Sequence, residues 1–302
     1  NLSVAQKEWC DLLEKNTAGK MKCNILPKAP SAPPGTFDAV RDGLVDVSFT
    51  VHGYTPGRFE LGKVAEFPFG GNNSEITSVA FHRIASKYSV FADEHKGVKP
   101  LAYFTHGGGM ALNTKKAVTS AADLLGLKWR VGGGMVNEVS KAMGMNVTLK
   151  PAPESYELLS SGVMDGTLFP PESYNSFKID SVIKYVTSFP GGLYNTSFVF
   201  MMNPDRYNKL SADEKKAVDA ISGEFAARHF GKSWVAVDRA ALDHMKAKGV
   251  QITAASPAFV AEIKSKTGML EDNWFKAADA KGLKNAKAVL EEYRAEVAKL
   301  EK

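Results

Sequence analysis

The sequence predicts an α/β protein built of two lobes, and three observations lead to this fold class. The chain has 302 residues, enough for two domains of roughly 150 residues each. Predicted strands alternate with predicted helices, which is typical of α/β folds. A pattern also recurs, because FDAVRDGLVDVSF at 37–49 and YELLSSGVMDGTLF at 156–169 both place Gly-x-x-Asp between a helical turn and an apolar strand. Two related units favour two lobes with a cleft between them.

The composition excludes several classes of protein. With 44% hydrophobic and 24% charged residues, the chain is typical of a globular protein rather than a disordered one. The net charge of +5 comes without a dense Lys/Arg block, so no nucleic-acid partner is predicted. Apolar runs such as 198–202 are far shorter than the ~20 residues that span a bilayer. We therefore expect a protein that is not itself embedded in a membrane.

Apolar spacing and chain breakers define the elements of the first part of the chain. Val4, Trp9 and Leu12 recur at helical spacing, and the prolines within 27–35 remove backbone donors and indicate a loop. The predicted elements are a helix over 3–15, a strand over 21–27, a short helix over 37–43, a strand over 45–51, a helix over 74–88 capped by Asn73 or Ser74, and a strand over 99–104 followed by a glycine loop at 106–109.

The alternation begins again near residue 119. A capping box of Ser211 and Glu214 starts one long helix over 212–247. The other predicted elements are a helical turn over 120–126, strands over 127–131, 147–150, 182–187 and 197–202, and helices over 135–143, 155–160 and 286–302.

Catalytic motifs are incomplete in this sequence. His106 and the three glycines after it match an esterase oxyanion loop, but the G-x-S-x-G nucleophile motif is absent. The six histidines contain no H-E-x-x-H, and the two cysteines are not in C-x-x-C spacing. Gly132 and Gly134 begin a dinucleotide fingerprint that Asn137 leaves unfinished. We predict no enzyme, no metal and no cofactor.

Arg130 is the strongest candidate for binding chemistry. It ends a predicted strand just before Gly132, Gly133 and Gly134, and a glycine-rich turn that leads into a helix exposes backbone N–H groups to anions. An arginine there can hold a carboxylate through two parallel hydrogen bonds. The pattern alone favours the alternative interpretation, a surface arginine paired with Asp or Glu.

Several segments together resemble the DctP family, the solute-binding receptors of tripartite ATP-independent periplasmic (TRAP) transporters. The matching segments, in chain order, are DGLVD at 42–46, YTPGRF at 54–59, EFPF at 66–69, ADLLGLKWRV at 122–131, PESYELL at 153–159, SGVMDG at 161–166 with Pro170, and NPDRYNKLS at 203–211. The resemblance implies a two-lobed periplasmic binding protein, type II-like, with a ligand cleft between the lobes and a long connecting helix. It implies interleaved lobes, with lobe I formed by 1–125 and 206–250 and lobe II by 126–205 and 251–302.

The resemblance also implies a set of ligand-binding residues. In this family the arginine at the position of Arg130 pairs with the ligand carboxylate, and the glycine loop beside it lines the pocket. Phe169 stands where sialic-acid-type members commonly have a polar residue, often Asn, and this difference indicates a ligand with an apolar or aromatic portion. The loop at 107–109 is all glycine where relatives with strongly polar ligands can carry a second Arg, which favours a monocarboxylate. The expected ligand-binding residues are Arg130, Phe169, Asn195, Gly133, Tyr54, His52 and Met110.

The function implied is that of a periplasmic receptor that binds a small organic acid and delivers it to the TRAP membrane permease. The alternative is a two-lobed α/β enzyme acting on a small acidic metabolite.

The chain starts without Met or a leader and without the strand that usually precedes the first helix in this family, which we interpret as processing or trimming. Cys10 and Cys23 are either buried thiols or one disulfide, and the sequence leaves both open.

Overall fold

The computed structural model describes residues 2–302, whose strands form two separate sheets. The strands are β1 Val47–Val51, β2 Lys99–Thr105, β3 Met110–Asn113, β4 Lys128–Val131, β5 Asn146–Leu149, β6 Gly166–Phe169, β7 Tyr185–Ser188, β8 Ser197–Met202 and β9 Gln251–Ala254. Lobe I is built on the three-stranded sheet, with the order β1-β8-β2, and lobe II on the six-stranded sheet, with the order β5-β4-β6-β3-β7-β9. The predicted two-lobed α/β fold is confirmed.

Helices surround both sheets. They are α1 Leu2–Asn16, α2 Thr36–Arg41, α3 Ser74–Lys87, α4 Val90–Asp93, α5 Ala121–Leu125, α6 Met135–Ala142, α7 Ser155–Ser160, α8 Ser173–Ser176, α9 Pro204–Asn208, α10 Ala212–Ala220, α11 Glu224–Ala247, α12 Pro257–Thr267, α13 Met269–Ala280 and α14 Ala286–Leu300. Asn73 caps α3 as expected, because its side chain accepts hydrogen bonds from the amides of Glu75 and Ile76. Within the described residues, no helix is both long and apolar enough to cross a bilayer.

The chain crosses between the lobes at places other than the predicted boundaries. β3 was expected in lobe I, but it pairs with β6 and β7 of the larger sheet. β8 was expected in lobe II, but it lies between β1 and β2. The C-terminal helix α14 packs against α3 of lobe I rather than staying with lobe II. Strand pairing between distant segments decides lobe membership here, and local sequence patterns do not carry that information.

The long connecting helix is α11, and it is shorter than predicted. Instead of one helix over 212–247, the chain forms α10 and α11, separated at Gly223, which has a φ of 65°. The Gly223 amide donates to Leu101 O instead of continuing a helix. The 24 residues of α11 span about 36 Å, with Phe230 packed in the core of lobe I and Met245 in the core of lobe II.

The segment 21–27, predicted as a strand, is irregular. A strand needs a neighbour for its backbone hydrogen bonds, and no strand of the described chain pairs with these mostly exposed residues. Cys10 and Cys23 form a disulfide with a Cα–Cα distance of 5.7 Å, which ties this segment to α1. The disulfide interpretation is therefore the correct one.

The repeated Gly-x-x-Asp pattern occupies equivalent positions in the two lobes. Gly43 follows α2 and Gly162 follows α7, each with a φ of 74°, and each unit continues into β1 or β6. Their aspartates differ, since Asp165 accepts a hydrogen bond from the Lys128 amide while Asp46 pairs with an arginine on the surface. The repeat thus predicts the turn geometry, but not one common role for its carboxylates.

Candidate ligand-binding cleft

The carboxyl ends of strands from both lobes meet at one cleft. Tyr54 follows β1 and His106 follows β2 in lobe I, while Arg130 lies near the end of β4 and Phe169 ends β6 in lobe II. All four side chains line a cavity of about 1170 Å³ that opens between the lobes and continues beneath residues 21–31. The fold therefore places side chains from distant parts of the sequence around one concave site.

Arg130 is buried in the wall of this cleft, with 2% of its surface exposed. Its Nε donates a hydrogen bond of 2.8 Å to Lys150 O, and its guanidinium lies 4.5 Å from the centre of the Phe169 ring. Phe169 in turn stacks on Phe177. A carbonyl and an aromatic face thus hold the guanidinium in position without neutralising it.

In the described part of the chain, no carboxylate is in direct contact with the charge of Arg130. Across residues 2–302, no carboxylate forms an ion pair with it, so the alternative of a paired surface arginine is wrong. Burial lowers its pKa, and the adjacent Tyr54 and Tyr194, with a smaller contribution from the more distant Glu154, act in the opposite direction. Because arginine stays protonated in proteins, the cleft contains a fixed positive charge. A buried cation of this kind requires an anion.

Aromatic rings form much of the rest of the cleft. Tyr194, Phe198 and Trp234 line the cavity together with Phe169 and His106. The ring centre of His106 lies 5.5 Å from that of Tyr194 and 5.8 Å from that of Trp234. Tyr194, Phe198 and Trp234 were not predicted as site residues, because aromatic side chains give no sequence signal that separates a pocket from a core.

An acidic pair lies at the same end of the cavity as His106. Glu172 lines the cavity and is 4% exposed, and its backbone amide donates to Asp238 Oδ1 at 2.8 Å. Burial, with a contribution from Glu172, raises the pKa of Asp238 to about 8. Burial also raises the pKa of Glu172. This end of the cleft is therefore unfavourable for a second anionic group.

The glycine loop was expected to offer backbone amides to an anion, and a protein carboxylate binds the amide that directly follows the loop. Glu66 from lobe I accepts hydrogen bonds from the Met135 amide at the start of α6 and from the amide and hydroxyl of Ser197. Burial raises the pKa of Glu66, and these hydrogen bonds act against that rise. Glu66 thereby fixes the loop beside Arg130 from across the cleft, a role that sequence reasoning did not find.

The two lobes touch at backbone level beside the arginine. A methyl group at Gly53 would lie 2.6 Å from the carbonyl carbon of Gly133. Nearby, the Ala152 amide donates to the hydroxyl of Tyr54 at 3.0 Å. Gly133 has a φ of 98°, so both its backbone conformation and the close approach favour glycine. These contacts join the lobes in a closed arrangement.

The expected site residues fall into two groups. Arg130, Phe169, Gly133 and Tyr54 line the cavity, whereas His52, Asn195 and Met110 do not. His52 lies in the core of lobe I, where its ring nitrogens contact Ser197 Oγ at 2.8 Å and His95 Nε2 at 2.9 Å. Met110 is buried opposite Phe169 in the sheet. Asn195 is buried next to cavity-lining Tyr194, with Nδ2 lacking a partner among the described residues. All three side chains are buried beside the cleft without forming part of its wall.

No metal-binding cluster accompanies these residues. In the described part of the chain, no group of three or more His, Cys, Asp or Glu side chains is placed to hold a metal ion.

Two α/β lobes around a cleft that contains a buried, unpaired arginine define a periplasmic-type solute-binding protein. A family model described as bacterial extracellular solute-binding protein, family 7 (DctP), matches residues 2–277. The chain belongs to this family, the solute-binding proteins of TRAP transporters, as the resemblance predicted.

Solved structures of TRAP solute-binding proteins are similar over nearly the whole chain. One from Bordetella bronchiseptica, with bound (R)-mandelate and (S)-mandelate, is 43% identical, with 98% of this chain and 93% of that chain covered and a TM-score of 0.94. One from a marine metagenome, specific for aromatic acid ligands and solved with 3-hydroxybenzoate, is 33% identical, with 98% and 93% covered and a TM-score of 0.91. One from Rhodoferax ferrireducens T118, with copurified benzoate, is 30% identical, with 97% and 92% covered and a TM-score of 0.91.

A curated relative extends the same similarity. The outer membrane transporter protein TsaT of Comamonas testosteroni is 28% identical over 293 residues, which cover 97% of this chain and 86% of TsaT. The family and the solved relatives are substrate-binding receptors rather than enzymes.

Proposed function

We propose that this protein is a periplasmic receptor that binds an aromatic monocarboxylate and delivers it, chemically unchanged, to the membrane permease of a TRAP transporter. Arg130 forms a bidentate ion pair with the ligand carboxylate. The aromatic rings of the cleft contact the ligand ring, and closure of the lobes at Gly53 and Gly133 removes both from water.

One observation carries this proposal: Arg130 is buried without a direct ion-pair partner among residues 2–302. Burial of an unpaired charge costs several kcal/mol, so a ligand carboxylate recovers part of that cost in addition to its own hydrogen bonds. The guanidinium is already oriented by Lys150 O and the Phe169 ring, so little rotamer freedom is lost on binding.

The aromatic part of the ligand is supported by the rings around the cavity. Phe169, Tyr194, Phe198 and Trp234 offer faces and edges on which a flat ring can pack. The similar receptors from Bordetella bronchiseptica, the marine metagenome and Rhodoferax ferrireducens were solved with mandelate, 3-hydroxybenzoate and benzoate.

The restriction to one carboxylate is supported by the acidic pair. A second carboxylate at this end of the cleft would be near Glu172 and Asp238, where burial already disfavours negative charge. Removing that carboxylate from water without a charged partner would cost more free energy than its new contacts return. Delivery to a permease is supported by the family to which the chain belongs.

Isothermal titration calorimetry with benzoate, mandelate and succinate tests this proposal. The two aromatic monocarboxylates should bind one per chain, and succinate, which carries two carboxylates and no ring, should not bind. Chromatography of the mixture afterwards should recover the aromatic acid unchanged. Binding of succinate but of neither aromatic acid would refute the ligand class, and conversion of the acid to a product would favour an enzyme.

A further inference from the structure

His106 lines the cleft, and its imidazole takes no part in the proposed ion pair between Arg130 and the ligand carboxylate. It follows β2 directly, is 4% exposed, and lines the same cavity as Arg130. Tyr194 lies close to both residues, because its ring is in edge contact with His106 and its pKa responds to the charge of Arg130. Arg130 and His106 therefore line one cavity, and Tyr194 is a neighbour of each.

The hydrogen bonding of His106 determines which nitrogen carries the proton. Nδ1 contacts the carbonyl oxygen of Gly107, and a carbonyl can only accept, so Nδ1 is the donor. Burial lowers the pKa of His106 to about 4, which leaves the ring neutral at pH 7. Nε2 therefore presents a lone pair, and no hydrogen bond within residues 2–302 engages it. His106 is a fixed acceptor.

The surroundings of His106 indicate what kind of donor it would meet. The rings of Tyr194, Phe198 and Trp234 enclose it, with centre-to-centre distances of 5.5, 6.2 and 5.8 Å. The indole Nε1 of Trp234 is buried and has no acceptor among the described residues. A hydroxyl group fits this environment, because it donates a hydrogen bond to Nε2 and still has an oxygen that can accept one.

We propose, on the basis of the proposed function, that His106 Nε2 accepts a hydrogen bond from a hydroxyl group on the ring of the bound aromatic acid. Arg130 then recognises the carboxylate, and His106 determines specificity at the other end of the ligand. The preferred substrate class is a ring-hydroxylated aromatic monocarboxylate.

A matched pair of ligands isolates this hydrogen bond. 3-Hydroxybenzoate and 3-fluorobenzoate are of similar size, but fluorine has no proton to donate; 4-hydroxybenzoate and 4-fluorobenzoate form the second pair. The Kd of each is measured by calorimetry on the full chain. In the wild type, the hydroxylated acid of at least one pair should bind about fivefold to tenfold more tightly, which corresponds to one neutral hydrogen bond.

Three variants assign the preference to His106. In His106→Phe the Kd ratio within that pair should fall to about one, whereas His106→Gln, whose amide oxygen accepts a hydrogen bond, should keep part of the preference. His244→Phe, at a histidine that contacts Asn175 and does not line the cavity, should keep the wild-type ratio. Both ligands of a pair are measured on the same preparation, so a loss of stability in a variant does not mimic a change in the ratio.

The outcomes separate this inference from the proposed function. A ratio that His106→Phe leaves unchanged, or a wild type that binds both acids of each pair equally, overturns the role of His106 and leaves the receptor function intact. Failure of every aromatic acid to bind the wild type overturns both.

Discussion

Arg130 is oriented by neutral groups, which leaves its charge to the ligand. A backbone carbonyl, an aromatic face and a neighbouring tyrosine fix the guanidinium, and none of them neutralises it. The anion site that the sequence pattern suggested at the glycine turn is used in part by Glu66, so the arginine remains the main anion-binding group. At the level of single residues, the cleft is a site for one negative charge.

The protonation of Asp238 should make the stability of the protein depend on pH. Its pKa of about 8 in the folded protein lies above its ordinary value of 3.8, so between these values the folded chain holds a proton that the unfolded chain has released. The contribution of Asp238 to the free energy of unfolding therefore decreases as the pH rises from about 4 to about 8. Asp238→Asn removes this loss while keeping an acceptor for the Glu172 amide.

Urea unfolding at pH 5, 7 and 9 measures the effect. The free energy of unfolding of Asp238→Asn minus that of the wild type should rise by up to about 1 kcal/mol per pH unit and level off above pH 8. Asp243→Asn, at an exposed position on the same helix, is the control. A difference that stays constant with pH would show that Asp238 is ionised in the folded protein at neutral pH.

The loop before α6 and the segment after β1 form the contact through which the lobes close. Neither glycine in this contact leaves room for a side chain, because Gly53 and Gly133 approach each other along their backbones. Glu66 strengthens the same contact by joining lobe I to the start of α6. These elements determine whether the rings of lobe I can reach a ligand bound at Arg130.

Gly53→Ala tests the importance of this contact. Gly53 does not have a positive φ, so alanine is compatible with its backbone, but the added methyl group would clash with Gly133 when the lobes close. Overpacking of about 1–3 kcal/mol should weaken aromatic-acid binding by roughly tenfold to a hundredfold. Gly126→Ala, at a position with open space around it, should bind like the wild type in the same titration. Equal affinity in Gly53→Ala would show that binding does not require this contact.

The disulfide between α1 and segment 21–27 should contribute to the stability of the folded chain. The segment lacks strand partners, so the Cys10–Cys23 bond is its main covalent restraint. Replacing both cysteines with serine should lower the free energy of unfolding by about 3 kcal/mol, the loop-closure value for a ring of this size. Denaturant unfolding without reductant measures this, and reduced wild type should match the variant. Equal stability of the oxidised wild type and the variant would contradict the prediction.

Over the whole molecule, the sequence predicts what local patterns encode and misses what depends on distant contacts. The helix cap at Asn73, the capping box at Ser211 and the two Gly-x-x-Asp turns follow from local rules, and the structure has them. Strand β8 could not be placed from its own sequence, because an apolar strand fits either sheet until its partners are known.

In the candidate site, too, local patterns could be predicted and contacts between distant residues could not. Arg130 stands out because it alternates with the apolar positions of its strand and lies close to three glycines, and the resemblance to the family strengthens this prediction. Glu66 and its partner Met135 are 69 residues apart, and no spacing rule links them. Packing determines that the His52 side chain lies in the core and that the His106 side chain lines the cleft. A single sequence does not reveal this packing.

Ligand binding by Arg130→Ala shows whether the buried arginine is the carboxylate site. Benzoate is titrated by calorimetry into the wild type, Arg130→Ala and Arg239→Ala, the last carrying its change at an exposed arginine on α11. Loss of one partner of a buried ion pair should weaken binding at least about a hundredfold in Arg130→Ala, with Arg239→Ala unchanged. Wild-type affinity for benzoate in a folded Arg130→Ala chain would contradict the account.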